Sequence, residues 1–394
     1  MNWSRLYFLL SAIAMMLLLG SIYAWGIFRV EVEAVYNVNA TLSGLPYMFS
    51  LVSYAFSMLW AGRWMATHRR IIVITGMILF ISGLWIASIP GSFLLLLLGY
   101  GVLLGVGVGF LYGVPIYLVN RLFTTRVGLF SGLILMGFGL ANTVMTPLIV
   151  TLLERSSMSE TFTTLGWLSM VVLGLTVWPL FQPLKVNQAQ DISKEKPTYD
   201  RVAFRWLYLV FLLSIFSGLT IIGLSYRIGV VTYAFDAGFV TGAIAVFGLL
   251  NGLSRPVFGS LVDRFGFFKI AFTSLFSLVL SGFLSLFNGG SNPVLYAISY
   301  GAFWFGLGNW MALMPLAIKL LFPISLFSEL YGKIFTAYGI AAIIGTLFSS
   351  AILDLTQTTW PIYVLIVVGN ITNLFIVFWL KKRYHLTFFI KEIF

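Results

Sequence analysis

The sequence contains no cysteine, only two histidines and few charged residues. Without cysteine the chain forms no disulfide and no thiolate metal site, and its cysteine content says nothing about redox compartment. Charged residues make up 9% of the 394 residues, against about a quarter in soluble domains, while hydrophobic residues make up 60%. Together with a mean hydropathy of +1.00, this composition excludes a soluble protein and indicates a membrane protein with several spans.

Twelve hydrophobic segments are long enough to cross the bilayer core, which is roughly 30 Å thick and takes about 20 helical residues. We predict a membrane helix in each segment and refer to them as the first to the twelfth. Their predicted bounds are residues 6–28, 41–62, 71–89, 93–119, 127–153, 163–181, 206–226, 239–262, 268–287, 294–318, 334–353 and 360–380. The lipid bilayer is therefore one partner that the sequence implies.

The basic residues are distributed unevenly between the two sides of the predicted helices. The net charge is +11, and of the 23 Lys and Arg residues, the segments on the side of the N-terminus hold 19. The segments on the other side hold only Arg29, Arg155 and Arg227. Cytoplasmic loops are enriched in Lys and Arg, so we predict a cell membrane protein with both termini in the cytoplasm. The same distribution accounts for the net charge without binding of nucleic acid.

A polar stretch divides the hydrophobic pattern into two halves of six segments. We predict an N-terminal bundle over residues 1–183, a cytoplasmic linker over 184–205, a C-terminal bundle over 206–382 and a cytoplasmic tail over 383–394. A weak repeat supports this division, because GRWMATHRR after the second segment corresponds in position to GSLVDRFGFFK after the eighth. Two six-helix bundles with a substrate site between them are an established transporter plan.

One charged side chain, Arg255, lies inside a predicted membrane helix, the eighth. A guanidinium in hydrocarbon costs about 3 kcal/mol or more unless it faces the bundle interior and has a partner. All 12 acidic residues fall in loops or at segment ends, so the sequence offers no carboxylate at membrane depth to pair with it. Arg255 is therefore predicted to mark a site that binds an anion, and the alternative is a purely structural ion pair.

The loop after the eighth segment carries a compact pattern of small and charged residues. In their spacing, Gly259, Asp263, Arg264, Gly266 and Lys269 resemble the loop signature of the major facilitator superfamily. The resemblance implies an all-α membrane protein with twelve transmembrane helices in two pseudo-symmetric six-helix bundles. The alternative is a twelve-helix membrane protein of another plan. The aspartate of such a turn can cap a helix terminus and hold a gate closed, but the corresponding first loop lacks the acidic residue.

Six stretches narrow the resemblance to the oxalate:formate antiporter family, relatives of the monocarboxylate transporters. They are IYAWGIF (22–28), GVGVGFLYGVPIYLVNRLF (105–123), RVGLFSGLILMGFG (126–139), NGLSRPVFGSLVDRFG (251–266), WMALMP (310–315) and ELYGKIFTAYG (329–339). This resemblance implies that Arg255 binds the substrate carboxylate and that Tyr112 of the fourth helix and Tyr23 of the first line the same cavity.

One position departs from that family. Where its oxalate carrier has a second cation, a lysine in the eleventh helix, this chain has Tyr338. One cation suits one carboxylate, because an unpaired buried charge is costly. We therefore predict a monocarboxylate such as lactate, pyruvate or formate, with Tyr338 and the tenth-helix Trp304 also in the cavity. Lys319 and Lys333 are alternatives for a second cation, but we expect both to extend from helix ends to the cytoplasmic interface.

The scarcity of titratable groups bears on how transport is coupled. With no carboxylate or histidine at membrane depth, the sequence favours anion exchange; oxalate:formate antiport, proton-coupled symport and transport of another solute are the alternatives. An enzyme or sensor would need clustered catalytic or metal-binding side chains at that depth, or a soluble domain, and the sequence shows neither. We expect a monomeric transporter of small carboxylate anions that uses no cofactor.

Overall fold

The computed structural model describes residues 3–38, 40–181, 198–356 and 358–393, and within these ranges its regular structure is entirely helical. Twelve main helices follow the predicted order, and we label them α1–α12. α1 comprises Trp3–Leu19, a 3-10 turn at Gly20–Ala24 and Trp25–Tyr36, and α2 and α3 share the helix Leu45–Ala87. The others are α4 (Phe93–Leu96, Leu97–Leu104 and Gly105–Leu122), α5 (Val127–Arg155), α6 (Met158–Thr176), α7 (Arg201–Tyr226, continued by Arg227–Thr232), α8 (Ala237–Phe265), α9 (Phe267–Asn288), α10 (Pro293–Leu321), α11 (Phe327–Thr356) and α12 (Trp360–Ile393).

Ten helices in the described part of the chain are long and apolar enough to cross a membrane, and one of them holds two predicted spans. This is the 43-residue helix Leu45–Ala87, whose backbone leaves helical geometry at His68 (φ −123°, ψ 30°). The sequence predicts a loop between the second and third segments, but residues 63–67 and 69–70 are helical. No glycine or proline between Arg63 and Arg70 ends the helix, so the chain turns at a kink instead.

The sixth predicted span corresponds to α6, which begins five residues earlier than the sequence predicts. Ser157 accepts a hydrogen bond from the Glu160 amide while the Glu160 carboxylate accepts one from the Ser157 amide, which is a capping box. α6 ends at Thr176 and is followed by a 3-10 turn, Trp178–Phe181, at Pro179. A proline cannot donate the next helical hydrogen bond, so the regular helix stops before it.

The two ends of the C-terminal half also differ from their predicted bounds. Residues 184–197 of the predicted linker lie outside the described residues, and α7 already begins at Arg201. Asp200 caps α7 by accepting hydrogen bonds from two backbone amides. Its Oδ2 also accepts a hydrogen bond from Arg383 Nε at 2.5 Å. Burial raises the pKa of the Asp200 carboxyl, but these hydrogen bonds outweigh burial and leave the pKa lowered. The predicted tail continues α12 as helix as far as Ile393.

The helices pack as two sets of six that meet along two seams. In the N-terminal set α1 packs on α5 and α2–α3 pack on α4, and in the C-terminal set α7 packs on α11, α8 on α10 and α9 on α12. The seams between the sets are α5 against α8 and α2 against α11. An even number of passes places both chain ends at one membrane face, which we call the terminal side. The space enclosed between the seams contains Arg255.

Candidate functional site: a buried arginine between the two bundles

Arg255 lies near the middle of α8 and is fully buried. Its Nη1 donates a hydrogen bond across the α5–α8 seam to the Leu135 carbonyl at 2.7 Å, and its Nη2 donates to Asn251 Oδ1 at 3.2 Å. Its Nε has no hydrogen-bond partner among the described residues. No acidic side chain in the described ranges forms an ion pair with it, so neutral acceptors alone compensate a full positive charge.

Small residues on the seam allow the guanidinium to reach α5. A Cβ added at Gly139 of α5 would lie 2.7 Å from Gly252 Cα and 3.0 Å from Arg255 Nε. Contacts below 3.0 Å do not occur for real Cβ atoms, so any other residue at Gly139 would push the two helices apart. Asn251 is itself held by a hydrogen bond from its Nδ2 to the Trp304 carbonyl at 2.9 Å. The position of Arg255 is therefore fixed by backbone contact on one side and by α10 on the other.

Aromatic rings from four helices form a cluster beside the guanidinium. Phe138 of α5 lies beneath it, with 5.9 Å from Arg255 Cζ to the ring centroid. Tyr112 of α4 is fully buried, and its ring lies 5.1 Å from that of Phe138 and 5.2 Å from that of Tyr54 on α2. Phe335 of α11 packs 4.9 Å from Tyr54 and 5.4 Å from Tyr112. The two bundles thus meet in an aromatic cluster with one cation at its edge.

Two tyrosines join the bundles within this cluster. The Tyr23 hydroxyl of α1 and the Tyr338 hydroxyl of α11 are 2.5 Å apart and share a hydrogen bond. The Tyr23 ring meets Phe138 edge-on at 5.2 Å, and the Tyr338 ring stacks on Phe335 at 5.3 Å. Tyr23 and Tyr112 also lie within electrostatic range of Arg255. The structure therefore brings four of the five residues predicted from the sequence into one cluster.

Three hydroxyls of the cluster are buried without hydrogen bonds. Among the described residues, the hydroxyls of Tyr54, Tyr112 and Tyr331 do not meet the full geometry of a hydrogen bond, but the Tyr112 hydroxyl interacts with the other two, which lie beside it. Tyr331 belongs to α11 and also lies within electrostatic range of Arg255. Buried polar groups in proteins are nearly always hydrogen-bonded, so these hydroxyls and the unsatisfied Arg255 N–H have hydrogen bonds to offer a polar ligand.

The other residues considered as ligands of the substrate lie elsewhere. Trp304 donates from its indole to Ser225 Oγ at 3.1 Å and packs on Phe247, so it supports the site through the carbonyl that holds Asn251. Lys333 forms a salt bridge of 2.6 Å with Glu329 one turn away. Lys319 at the end of α10 lies within electrostatic range of Asp263. Neither lysine has a described contact with the aromatic cluster.

The loop motif holds the terminal end of the α5–α8 seam. Both Asp263 carboxylate oxygens accept hydrogen bonds at 2.9 Å, one from the Gly128 amide and one from the Leu129 amide. These amides belong to the first turn of α5, where the helix dipole favours a negative charge. Gly266 separates α8 from α9 with φ +83°, a conformation that L side chains rarely adopt. The Arg264 guanidinium lies 5.1 Å from the centre of the Phe265 ring, and Lys269 belongs to the first turn of α9.

Glycines close both seams at the terminal side. A Cβ added at Gly259 would lie 2.0 Å from the Gly128 carbonyl oxygen, and one added at Gly62 would lie 2.3 Å from that of Ser328 on α11. Farther along the α5–α8 seam the contact loosens, and a Cβ at Gly248 would have 3.7 Å to Thr143. The structure therefore shows the terminal side closed, with an acidic cap on one seam and glycine contact on both.

The sequence does not indicate Tyr54, Tyr331, Phe138 or Phe335 as site residues. The only signal lies on α11, where Tyr331, Phe335 and Tyr338 are spaced by four and three residues, which places them on one helical face. The sequence gives no indication that Tyr54 belongs to the site, because its position there depends on the contact between α2 and α11. Among the described residues, no group of three or more His, Cys, Asp or Glu side chains could hold a metal ion.

The arrangement of two six-helix bundles around a central site agrees with the comparison with known families. The model of the Major Facilitator Superfamily matches residues 6–322. The chain belongs to this superfamily. It is a multi-pass membrane transporter and not an enzyme, as the sequence predicts.

The sequences of two curated relatives align with most of this chain. An uncharacterized MFS-type transporter of Escherichia coli, YhjX, is 25% identical over 341 residues, which cover 82% of each chain. The oxalate:formate antiporter of Oxalobacter formigenes is 25% identical over 364 residues, covering 88% of this chain and 84% of the antiporter. The resemblance predicted from the sequence is confirmed at this modest identity.

Solved structures confirm the predicted fold. The proton:xylose symporter XylE superposes with a TM-score of 0.76 at 12% identity, and the alignment covers 95% of each chain. A bacterial homologue of the iron transporter ferroportin, in an outward-facing state, gives a TM-score of 0.75 at 13% identity over 97% of this chain and all of that one. At these identities the likeness concerns the fold alone.

Proposed function

We propose that this facilitator transports small monocarboxylate anions, such as lactate, pyruvate or formate, by alternating access and in exchange for one another. The observation that carries the proposal is the buried Arg255, whose described partners are a carbonyl, an amide oxygen and the nearby Tyr23 hydroxyl, with no carboxylate of the described residues among them. A carboxylate bound at its unsatisfied Nε and at the Tyr112 hydroxyl would supply the missing negative charge.

The number of cations favours one carboxylate over two. Lys333 is paired with Glu329, and Lys319 lies near Asp263, so both are engaged at the terminal side. The position where a second cation is expected for oxalate is occupied by Tyr338, which is hydrogen-bonded to Tyr23. A second carboxylate in this cluster would remain a buried charge without a cation, at a cost of several kcal/mol. The similarity to the oxalate:formate antiporter supports a carboxylate substrate and makes that exchange the second candidate.

The same charge argument favours exchange over uniport. During reorientation the α5–α8 seam must open at the terminal side, and this motion separates Arg255 from the Leu135 carbonyl that now accepts its hydrogen bond. Without an anion the guanidinium would then be left with less compensation in a nonpolar surrounding. A bound carboxylate remains paired with it throughout, so the loaded carrier has the lower barrier.

Location and oligomeric state belong to the same proposal. The excess of Lys and Arg on the side of the chain ends supports a plasma membrane protein with cytoplasmic termini. On this orientation the closed terminal side faces the cytoplasm. The substrate site lies within one chain, between its own two bundles, which supports a working monomer.

Uptake by an Arg255→Gln variant in proteoliposomes tests the proposal. We expect saturable uptake of labelled lactate to fall at least about thirtyfold, since removing one partner of a buried charge pair costs roughly 2 kcal/mol or more. Arg155→Gln, at the exposed end of α5, is the matched control and should transport like the wild type. Uptake by Arg255→Gln at the control rate, with equal amounts of folded protein in the vesicles, would refute Arg255 as the anion site.

A further inference from the structure

We propose that Tyr54 and Tyr331 are specificity-determining residues that recognise an oxygen on the carbon next to the substrate carboxylate, while Tyr112 binds the carboxylate itself. The inference rests on the proposed function, because it assumes that a monocarboxylate binds at Arg255. It assigns the site to 2-hydroxy and 2-oxo monocarboxylates in preference to acids with an unsubstituted carbon chain.

The first observation is the burial of three hydroxyls that have no hydrogen-bond partner. The side chains of Tyr54, Tyr112 and Tyr331 are essentially fully buried, and no described group completes a well-formed hydrogen bond to their hydroxyls, although the Tyr112 hydroxyl lies beside the other two. Other buried tyrosines in the protein are satisfied: Tyr296 donates to the Ser225 carbonyl at 2.8 Å, and Tyr300 shares a hydrogen bond of 2.6 Å with Tyr363. Among the tyrosines of the described residues, unsatisfied buried hydroxyls are thus confined to this cluster.

The second observation is where these hydroxyls come from. Tyr54 is on α2, Tyr112 on α4 and Tyr331 on α11, so the three side chains extend from both bundles while the guanidinium extends from α8. The unsatisfied Nε of Arg255 is the fourth available donor. A ligand in contact with all four groups would touch both halves of the transporter.

The number of donors then indicates the ligand. A carboxylate bound at Arg255 Nε and the Tyr112 hydroxyl leaves the hydroxyls of Tyr54 and Tyr331 to be matched. A methyl or methylene group beside the carboxylate would keep these two hydroxyls buried and unpaired, which is unfavourable. An oxygen on that carbon would accept a hydrogen bond, and because a tyrosine hydroxyl both donates and accepts, a hydroxy or an oxo group fits. The rings of Phe138 and Phe335 provide apolar walls for the remaining carbon chain.

Substitution of single hydroxyls tests the assignment. Labelled lactate uptake would be competed with unlabelled lactate, pyruvate and propionate in the wild type, Tyr54→Phe and Tyr331→Phe. In the wild type we expect lactate and pyruvate to compete at concentrations at least about tenfold below propionate. Each phenylalanine variant should weaken lactate and pyruvate by about tenfold, the factor that corresponds to one lost hydrogen bond, and leave propionate within about twofold. Tyr300→Phe, a buried tyrosine near Tyr363, is the control and should keep the wild-type preference.

A stability measurement separates recognition from a structural role. Because the hydroxyls of Tyr54 and Tyr331 are unsatisfied in this structure, their removal should leave the Tm of the substrate-free protein unchanged or raise it, and reduce only the increase in Tm caused by lactate. A lower Tm of the substrate-free variants, or an equal loss of lactate and propionate, would overturn the inference while monocarboxylate transport by the wild type stands. A wild type that transports no monocarboxylate would instead refute the proposed function.

Discussion

In the proposed function, a single side chain, Arg255, determines which solutes can occupy the centre of this transporter. It is buried at the α5–α8 seam and compensated by two neutral acceptors among the described residues. The folded protein tolerates this charge, but a bound anion would stabilise it further. The hydroxyls of the nearby tyrosines can donate hydrogen bonds to that anion. In the same proposal Tyr338 limits the cluster to one cation, because it supplies a hydroxyl where a cation would create a second anion site.

The Tyr338→Lys variant tests this role at the residue scale. An ammonium group at this position would enter the cluster from α11 and could pair with a second carboxylate. We expect the apparent affinity for oxalate to rise about tenfold or more, since a hydrogen bond to a charged group contributes roughly 1.5–3 kcal/mol. The measurement is competition of labelled substrate uptake by oxalate.

Tyr338→Phe is the control for that variant, because it removes the hydrogen bond to Tyr23 without adding charge. It should leave the preference for lactate over oxalate unchanged. No gain in oxalate affinity for a folded Tyr338→Lys protein would contradict the argument that one cation selects one carboxylate.

At the element scale, the α5–α8 seam is the part of the structure most clearly built to separate. Its terminal end is held by Asp263 on the first turn of α5 and by the contact between Gly128 and Gly259. These contacts are local, so they can break without disturbing the packing inside either bundle. The α2–α11 seam makes the equivalent glycine contact at Gly62, where the first loop has Ala66 in place of an aspartate. We infer that the two seams differ in how firmly they are closed.

A Gly259→Ala variant tests the seam. The added methyl would meet the Gly128 carbonyl at 2.0 Å, which forces the helices apart at the terminal side. Ser131 lies seven residues before Phe138, on the same face of α5, and is buried in the closed seam. Because the chain has no cysteine, Ser131→Cys would provide the only thiol. We expect maleimide to label this thiol about fivefold or more faster in the protein that also carries Gly259→Ala than in the Ser131→Cys parent. This is the factor for roughly 1 kcal/mol of overpacking.

Gly242→Ala on the same helix is the matched control, since a Cβ there meets no atom within 4 Å. Its labelling rate should equal that of the parent. Equal rates for Gly259→Ala and Gly242→Ala would show that the glycine contact does not hold the terminal side closed.

The sequence predicts those site residues whose chemistry is unusual. It does not predict the ones whose role depends on tertiary contacts. An arginine without a carboxylate in a membrane helix can be recognised from the chain alone, and so can the all-helical fold and the order of its twelve main helices. The kink at His68 differs from the predicted loop, because charge in the segment says nothing about whether the backbone stays helical. Tyr54 and Tyr331 resemble the other 16 of the 18 tyrosines until the α2–α11 seam brings them into one cluster with Tyr112.

At the scale of the whole molecule, the two bundles share one positive charge and a set of hydroxyls at their interface. No carboxylate or histidine from the described residues lies in the cluster to take up a proton, so an anion is the simplest partner for the movement of one bundle against the other. The central claim is therefore that a bound monocarboxylate, and not a proton gradient, allows the carrier to reorient.

The most direct test is uptake of labelled lactate into proteoliposomes at equal pH on both sides, with and without unlabelled lactate inside. If the loaded carrier has a reorientation barrier lower by roughly 1.4 kcal/mol or more, internal lactate should speed uptake at least about tenfold. The stimulation should be the same at pH 6 and pH 8 and absent in Arg255→Gln. Uptake that is unaffected by internal lactate but driven by an inward proton gradient would contradict the account.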